Sequence, residues 1–252
     1  MRGDKEQECL NLVREKCKNG EINYFGLSEE EISEVEKVIL AGIDNGNDFP
    51  DFTCDYGFIE HFQITSAKET KKGSLHIKAQ VEWDRIFLKT VTKKETENVD
   101  FYYKEEKEVT GHCHSNLINS FKKNRDNHLQ SLKKYNENYQ TGVFLIQFTD
   151  FSLEFIADGI YPRKEEMKIY RPCLDKMFLA ELEAMKDKIK YVIVVTVDPN
   201  RFPFVAYPYF CSVEVFSTKA TYTKSNDLDN MEIAPIRMTT VQQSQRITSR
   251  NY

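Results

Sequence analysis

The chain has 252 residues, 40% of them hydrophobic and 30% charged, with a formal net charge of −5. It is too long for a disulfide-stapled miniprotein and too apolar for a disordered chain, and no run approaches the ~20 apolar residues of a membrane helix. The acidic balance argues against a protein that coats nucleic acid non-specifically, but leaves room for a local basic stripe.

The first 20 residues are rich in charge and lack the apolar core of a signal peptide. Six scattered cysteines form no CxxC, so reduced thiols and a cytoplasmic setting are expected. The length suits a single α/β domain over 1–216, followed by a polar arm or tail over 217–252.

In chain order, residues 4–18 read as a helix with Cys9/Leu10, Val13 and Cys17 on one side, ended by Asn19-Gly20. A second helix starts at Ser28, where Glu31 completes a capping box, and carries the stripe Ile32, Val35, Ile39 and Ile43. Phe58 to Ile64 reads as a strand. Leu75 to Trp83 alternates Ile77, Ala79, Val81 and Trp83 with polar residues, which predicts a strand paired as a hairpin with the first. Residues 89–111 read as a long loop.

Ser115 to about Tyr135 is a long helix with inward positions Ile118, Phe121, Leu129 and Leu132; position 125 falls on that stripe and is Arg. Val143–Phe148 and Tyr191–Val197 are nearly continuous apolar runs, expected as central strands covered on both faces. Between them Leu174, Phe178, Leu182, Met185 and Ile189 predict one amphipathic helix. Phe204–Phe216 predicts a strand interrupted by Pro208. Strands separated by helices predict an α/β architecture: a mixed β-sheet flanked by helices.

The chemistry concentrates in Phe49-Pro50-Asp51-Phe52 and Ile59-Glu60-His61-Phe62. Alternation puts Glu60 on one face with Phe58, Phe62 and Ile64. A lone carboxylate on an aromatic face needs a cation or a hydrogen-bond partner. Two carboxylates on adjacent strands can hold Mg²⁺ or Mn²⁺, with waters and a substrate phosphate completing the octahedron. The alternative is that Pro-Asp is an ordinary turn pair and Glu60 pairs with a buried cation or lies wet at an edge.

This segment resembles the PD-(D/E)XK nuclease superfamily. Pro50-Asp51 matches its "PD", and Glu60 stands at its second acid. The order helix, three strands, helix, strand over about 28–148 resembles that restriction-endonuclease-like core. The resemblance implies a metal-dependent nuclease with Asp51 and Glu60 as metal ligands and Glu34 or Glu36 as a further acid. It departs at Phe62, where the lysine of the motif should stand. In some members a neighbouring element supplies that cation, which here points to Arg125 or Lys122, with Lys78 as a further candidate. The segments GFIEHFQI, KKGS and YNENYQTGVFLIQFTD also resemble a phage- or mobile-element-associated group, which implies no activity.

Three further patterns are weaker. Phe121–Lys134 gathers Lys122, Lys123, Arg125, Lys133 and Lys134 against Asp126, either a phosphate-facing surface or a solvated helix face. His112-Cys113-His114 has zinc-ligand character but no second pair at finger spacing, and Cys54 with His61 would need a general-base geometry. The aromatic run 202–210 would suit stacked bases or a partner protein. The function expected is a divalent-metal-dependent nuclease or nuclease-like nucleic-acid-binding protein. The alternative is a catalytically inactive interaction module that contacts a partner or its own copy as a homo-oligomer.

Overall fold

A computed structural model describes residues 4–46, 48–67, 103–108, 112–135, 141–148, 153–157, 170–197, 211–222, 231–235 and 237–242. In chain order the elements are α1 (Asp4–Lys18), β1 (Ile22–Phe25), α2 (Glu29–Ala41), β2 (Ile43–Asp44), β3 (Phe52–Cys54) and β4 (Gly57–Ile64). They continue with β5 (Tyr103–Glu108), α3 (His114–Leu132), β6 (Thr141–Phe148), β7 (Leu153–Ala157), α4 (Lys176–Leu182) and β8 (Tyr191–Val197). The last are β9 (Cys211–Ser217), β10 (Met231–Pro235) and β11 (Arg237–Gln242).

The two apolar runs β6 and β8 pair in parallel at the centre of a seven-stranded mixed sheet of order β1-β9-β8-β6-β4-β3-β2. β4 lies parallel to β6, in register from Gly57↔Thr141 to Ile64↔Phe148. β2, β3 and β4 form an antiparallel meander, and β9 runs antiparallel to β8 and parallel to β1. Parallel neighbours need crossovers, and α3 and α4 lie in those joining β4 to β6 and β6 to β8.

Each sheet face buries its own cluster. Ile59, Val143, Leu145, Ile193, Val195, Val213 and Val215 pack with Leu10 and Val13 of α1 and Val35, Val38 and Ile39 of α2. Phe58, Phe62, Phe144, Ile146, Val192, Val194 and Phe216 pack with Leu117, Ile118 and Phe121 of α3 and Phe178 and Leu182 of α4. Period-2 alternation thus sends odd residues of β4 to α1 and α2, and even residues to α3. No helix among the described residues is long and apolar enough to cross a membrane.

Local signals explain the helix ends. The Ser28 capping box forms as the sequence implies, with Glu31 N–H donating to Ser28 Oγ and Ser28 N–H to Glu31 Oε2. At the other end of α2, Arg14 of α1 donates to the carbonyls of Ile39 (2.9 Å) and Gly42, two acceptors the helix leaves unpaired.

Four expectations need correction. Ile43 is not part of a buried helical stripe; it lies in edge strand β2 and is 70% exposed. The segment 174–189 is not one helix. A 3₁₀ turn at Pro172–Leu174, α4 capped by Asp175, and a second 3₁₀ turn at Glu183–Met185 share it, yet Phe178, Leu182, Met185 and Ile189 are all buried. Packing kept the apolar pattern and overrode its period. The 89–111 loop contains β5, which pairs with β11, and β10 pairs with β7. The 217–252 segment therefore contributes strands to two small sheets, and Ile233 packs against the α3-side core. The antiparallel partner of β4 is the three-residue β3; the strand predicted at 75–83 lies outside the described residues.

Close approach decides one glycine. A Cβ on Gly57 would lie 2.1 Å from the carbonyl oxygen of Thr141, so the start of β4 reaches β6 only with no side chain there. Gly57→Ala is expected to cost about 1–3 kcal/mol by forcing the two backbones apart. Urea unfolding followed by circular dichroism checks this; a loss below about 0.5 kcal/mol, the scale of a surface change, contradicts it.

Candidate functional site

The β3–β4 ladder runs through Cys54↔Gly57, Thr53↔Phe58 and Phe52↔Ile59. One step further, Asp51 faces Glu60 as β3 ends. Phe52 is fully buried in the α1/α2 side of the core and anchors that end. The loop before it closes on itself: Asn45 N–H donates to Asp51 O (2.9 Å), and Asn45 Nδ2 to Pro50 O (3.2 Å). Gly46 takes a positive φ of 73° there, a conformation that suits glycine.

Side chains complete the ladder where its backbone bonds stop. Asp51 Oδ2 accepts the His61 N–H at 2.8 Å, and Glu60 Oε2 accepts the Asp51 N–H at 3.1 Å. The other oxygen of Glu60 lies 2.6 Å from His128 Nδ1 on α3. The His128 ring stacks on Phe62, with centroids 4.9 Å apart and planes 18° apart, and meets Phe144 edge-on at 6.4 Å. Phe62 thus serves as the platform for an imidazole that reaches the acid two residues before it.

The electrostatics follow from burial. Glu60 is only 4% exposed. Burial, and then the charge of Glu60, push the Asp51 carboxyl up to about 6, with the Glu6 charge adding to the rise and His128 opposing it. His61 points to the opposite face. It is buried, its Nε2 has no hydrogen-bond partner, and burial pulls its imidazole from 6.5 down to about 4. Asp51, Glu60 and His128 therefore share one electrostatic neighbourhood, with the His61 amide holding Asp51 in place.

The structure brings Asp51 and Glu60 together but places the other predicted site residues elsewhere. Glu34 is bonded to Thr141 Oγ1, Lys190 Nζ and Tyr191 Oη (2.9 Å), fastening α2 to the starts of β6 and β8 on the face away from the Glu60 side chain. Glu36 accepts from Tyr24 Oη at 2.6 Å, beside β1 at the opposite edge of the sheet. Neither acid joins the pair.

Arg125 does face inward and is buried, as its place on the stripe implies. Its guanidinium is nevertheless engaged by Glu181 of α4 (2.7 Å) and Asp126 (2.9 Å), while Lys122 lies 2.8 Å from the same Glu181. These two cations join α3 to α4; a phosphate-contacting role for them is corrected by that pairing. Lys78 and the 202–210 run lie outside the described residues.

Two further patterns separate. His112 Nδ1 lies 2.8 Å from Ser66 Oγ, whereas His114 Nε2 lies 2.7 Å from Asp175 Oδ2, so the two rings do not share a ligand. Cys54 Sγ donates to Gly57 O within the turn. Among the described residues no group of three or more His, Cys, Asp or Glu is gathered as a metal site.

His128 is the site residue that sequence reasoning missed. It sits one turn beyond Arg125, and its partner is 68 positions away. Its only sequence signal is a polar residue flanked by helix positions that pack inward. Comparisons with protein-family models, curated proteins and solved structures give no match.

The buried imidazole has a pH consequence. His61 titrates at 6.5 unfolded and about 4 folded, so its stabilisation is present above pH 6.5 and is lost as pH falls towards 4. Its full extent is roughly 3 kcal/mol at 1.4 kcal/mol per unit. Asp51, raised from 3.8 to about 6, has the opposite sign: its contribution is present below 3.8 and lost as pH rises through 6. His61→Gln is therefore expected to be less harmful at pH 4.5 than at pH 7.5, measured by chemical denaturation. A stability difference independent of pH contradicts the assignment.

Proposed function

We propose that this chain is a nuclease-like α/β protein that hydrolyses phosphodiester bonds of DNA or RNA, with Asp51 and Glu60 holding a divalent cation, Mg²⁺ or Mn²⁺. The observation that carries this reading is the facing of two carboxylates at the end of the β3–β4 ladder, where the charge of one raises the proton affinity of the other. Such a pair is relieved by a shared cation.

The donor set fits a hard ion. Mg²⁺ takes one or two protein carboxylates and fills its remaining positions with waters and substrate phosphate. When bound it would stabilise charge on the phosphodiester. The protein's own groups orient the acids: the His61 amide and His128 hold Asp51 and Glu60 respectively. The element order adds support, since α2, β2, β3, β4, α3 and β6 repeat the helix, three strands, helix, strand of the PD-(D/E)XK core, with β5 lying outside the main sheet. All six cysteines are free thiols, in keeping with a cytoplasmic setting.

A second reading is a non-catalytic module that contacts nucleic acid, a partner protein or its own copy. Phe62 in place of the motif lysine favours it, as does a Glu60 whose two oxygens already have protein partners.

Mn²⁺ titration by calorimetry and cleavage assays on single- and double-stranded DNA and RNA separate the two. The nuclease reading expects one Mn²⁺ site and metal-dependent cleavage, with Asp51→Ala and Glu60→Ala each lowering turnover at least about a hundredfold, on the scale of a lost charge-stabilising group. Absence of both Mn²⁺ binding and cleavage by the wild-type protein sinks it.

A further inference from the structure

We propose that His128 is the general base of the phosphodiester hydrolysis: Glu60 orients it, Phe62 supports it, and its Nε2 takes the proton of the attacking water. This role rests on the hydrolytic reading above and names the group that works where the motif lysine is absent.

The geometry has four parts. Glu60 Oε1 lies 2.6 Å from Nδ1, so in the neutral ring that nitrogen carries the proton and Nε2 presents its lone pair. A carboxylate that holds an imidazole in this tautomer is the arrangement of hydrolytic dyads on unrelated folds. The ring plane is set by the stack on Phe62 and the edge contact with Phe144, so Nε2 has one defined direction. The helix itself is pinned beside β4, because Asn124 Nδ2 donates to Gln63 O (3.2 Å) and Ser120 O (2.9 Å).

The last part is access. The His128 side chain is 24% exposed, unlike the buried His61 and His112, and among the described residues its Nε2 meets no protein acceptor or donor. Asp51 lies within electrostatic reach of both members of the dyad. The position that would carry lysine therefore carries the ring on which the replacement nitrogen rests.

The step balances as follows. The water oxygen forms a bond to phosphorus while its proton passes to His128 Nε2. The ester bond from phosphorus to the leaving oxygen breaks, with its electron pair staying on that oxygen. Solvent protonates the leaving alkoxide, and Nε2 later returns its proton to solvent.

Two measurements on the full chain test this. Long-range ¹H–¹⁵N correlation spectra of histidine-labelled protein should show His128 as the Nδ1–H tautomer, lost in Glu60→Gln; the Nε2–H tautomer in the wild type overturns the role. In cleavage assays with Mn²⁺, His128→Asn should lower kcat about 10²- to 10⁴-fold, with oligonucleotide KM and calorimetric Mn²⁺ affinity within about twofold of wild type, and added imidazole should restore part of the rate. Turnover of His128→Asn within about threefold of an active wild type overturns this role alone. A matching loss of Mn²⁺ affinity overturns it in favour of simple support of Glu60. A wild type that cleaves nothing overturns this role together with the hydrolytic reading.

Discussion

A carboxylate that is 4% exposed among phenylalanine rings is the constraint on which the site depends. Left unpaired, such a group costs several kcal/mol and shifts towards its neutral form. Glu60 is compensated by the Asp51 amide and by His128, one from the neighbouring strand and one from the covering helix. Those two contacts dictate where β3 stops, which way the loop before Pro50 closes, and how α3 sits over β4. Replacing either partner would strand a buried charge, so the same contacts that stabilise the fold also position whatever chemistry occurs there.

The remaining charged groups are committed to architecture. Glu34 ties α2 to β6 and β8, and Arg125 and Lys122 clamp Glu181 between α3 and α4. Glu214 on β9 is fully buried and holds Arg171 and the Cys173 amide at 2.8 Å each. Asp175 caps α4 while accepting from Tyr170 Oη. Each of these carboxylates is saturated by donors from other elements. Asp51 differs: one oxygen holds the His61 amide, the side chain is half-buried, and a neighbouring acid pushes its proton affinity upward. Uncompensated repulsion of this kind is typical of functional carboxylates, though ion-pair networks produce it too.

The sheet was legible where burial on both faces writes a continuous apolar run, as in β6 and β8, and where a cap marks a helix, as at Ser28. It was illegible where pairing is made by the backbone: β3 is three residues long, and β5 and β10 carry no run of large apolar residues. The site was half legible. Glu60 on an aromatic face is visible from alternation, and Pro50-Asp51 from the turn before it. That Arg125 faces inward was readable, but its partner was not, because a helix stripe gives direction and no address. Glu181 and His128 are both fixed by how α3 crosses its neighbours, a tertiary quantity that local spacing does not encode.

The most direct test of the central claim is an anomalous difference map from crystals of the full chain grown with Mn²⁺. The account predicts a peak bound by carboxylate oxygens of both Asp51 and Glu60 at roughly 2.0–2.2 Å, near the distances hard divalent ions adopt, and no such peak for Asp51→Ala. A map with no peak at this pair, or with Mn²⁺ held at other residues, would contradict it.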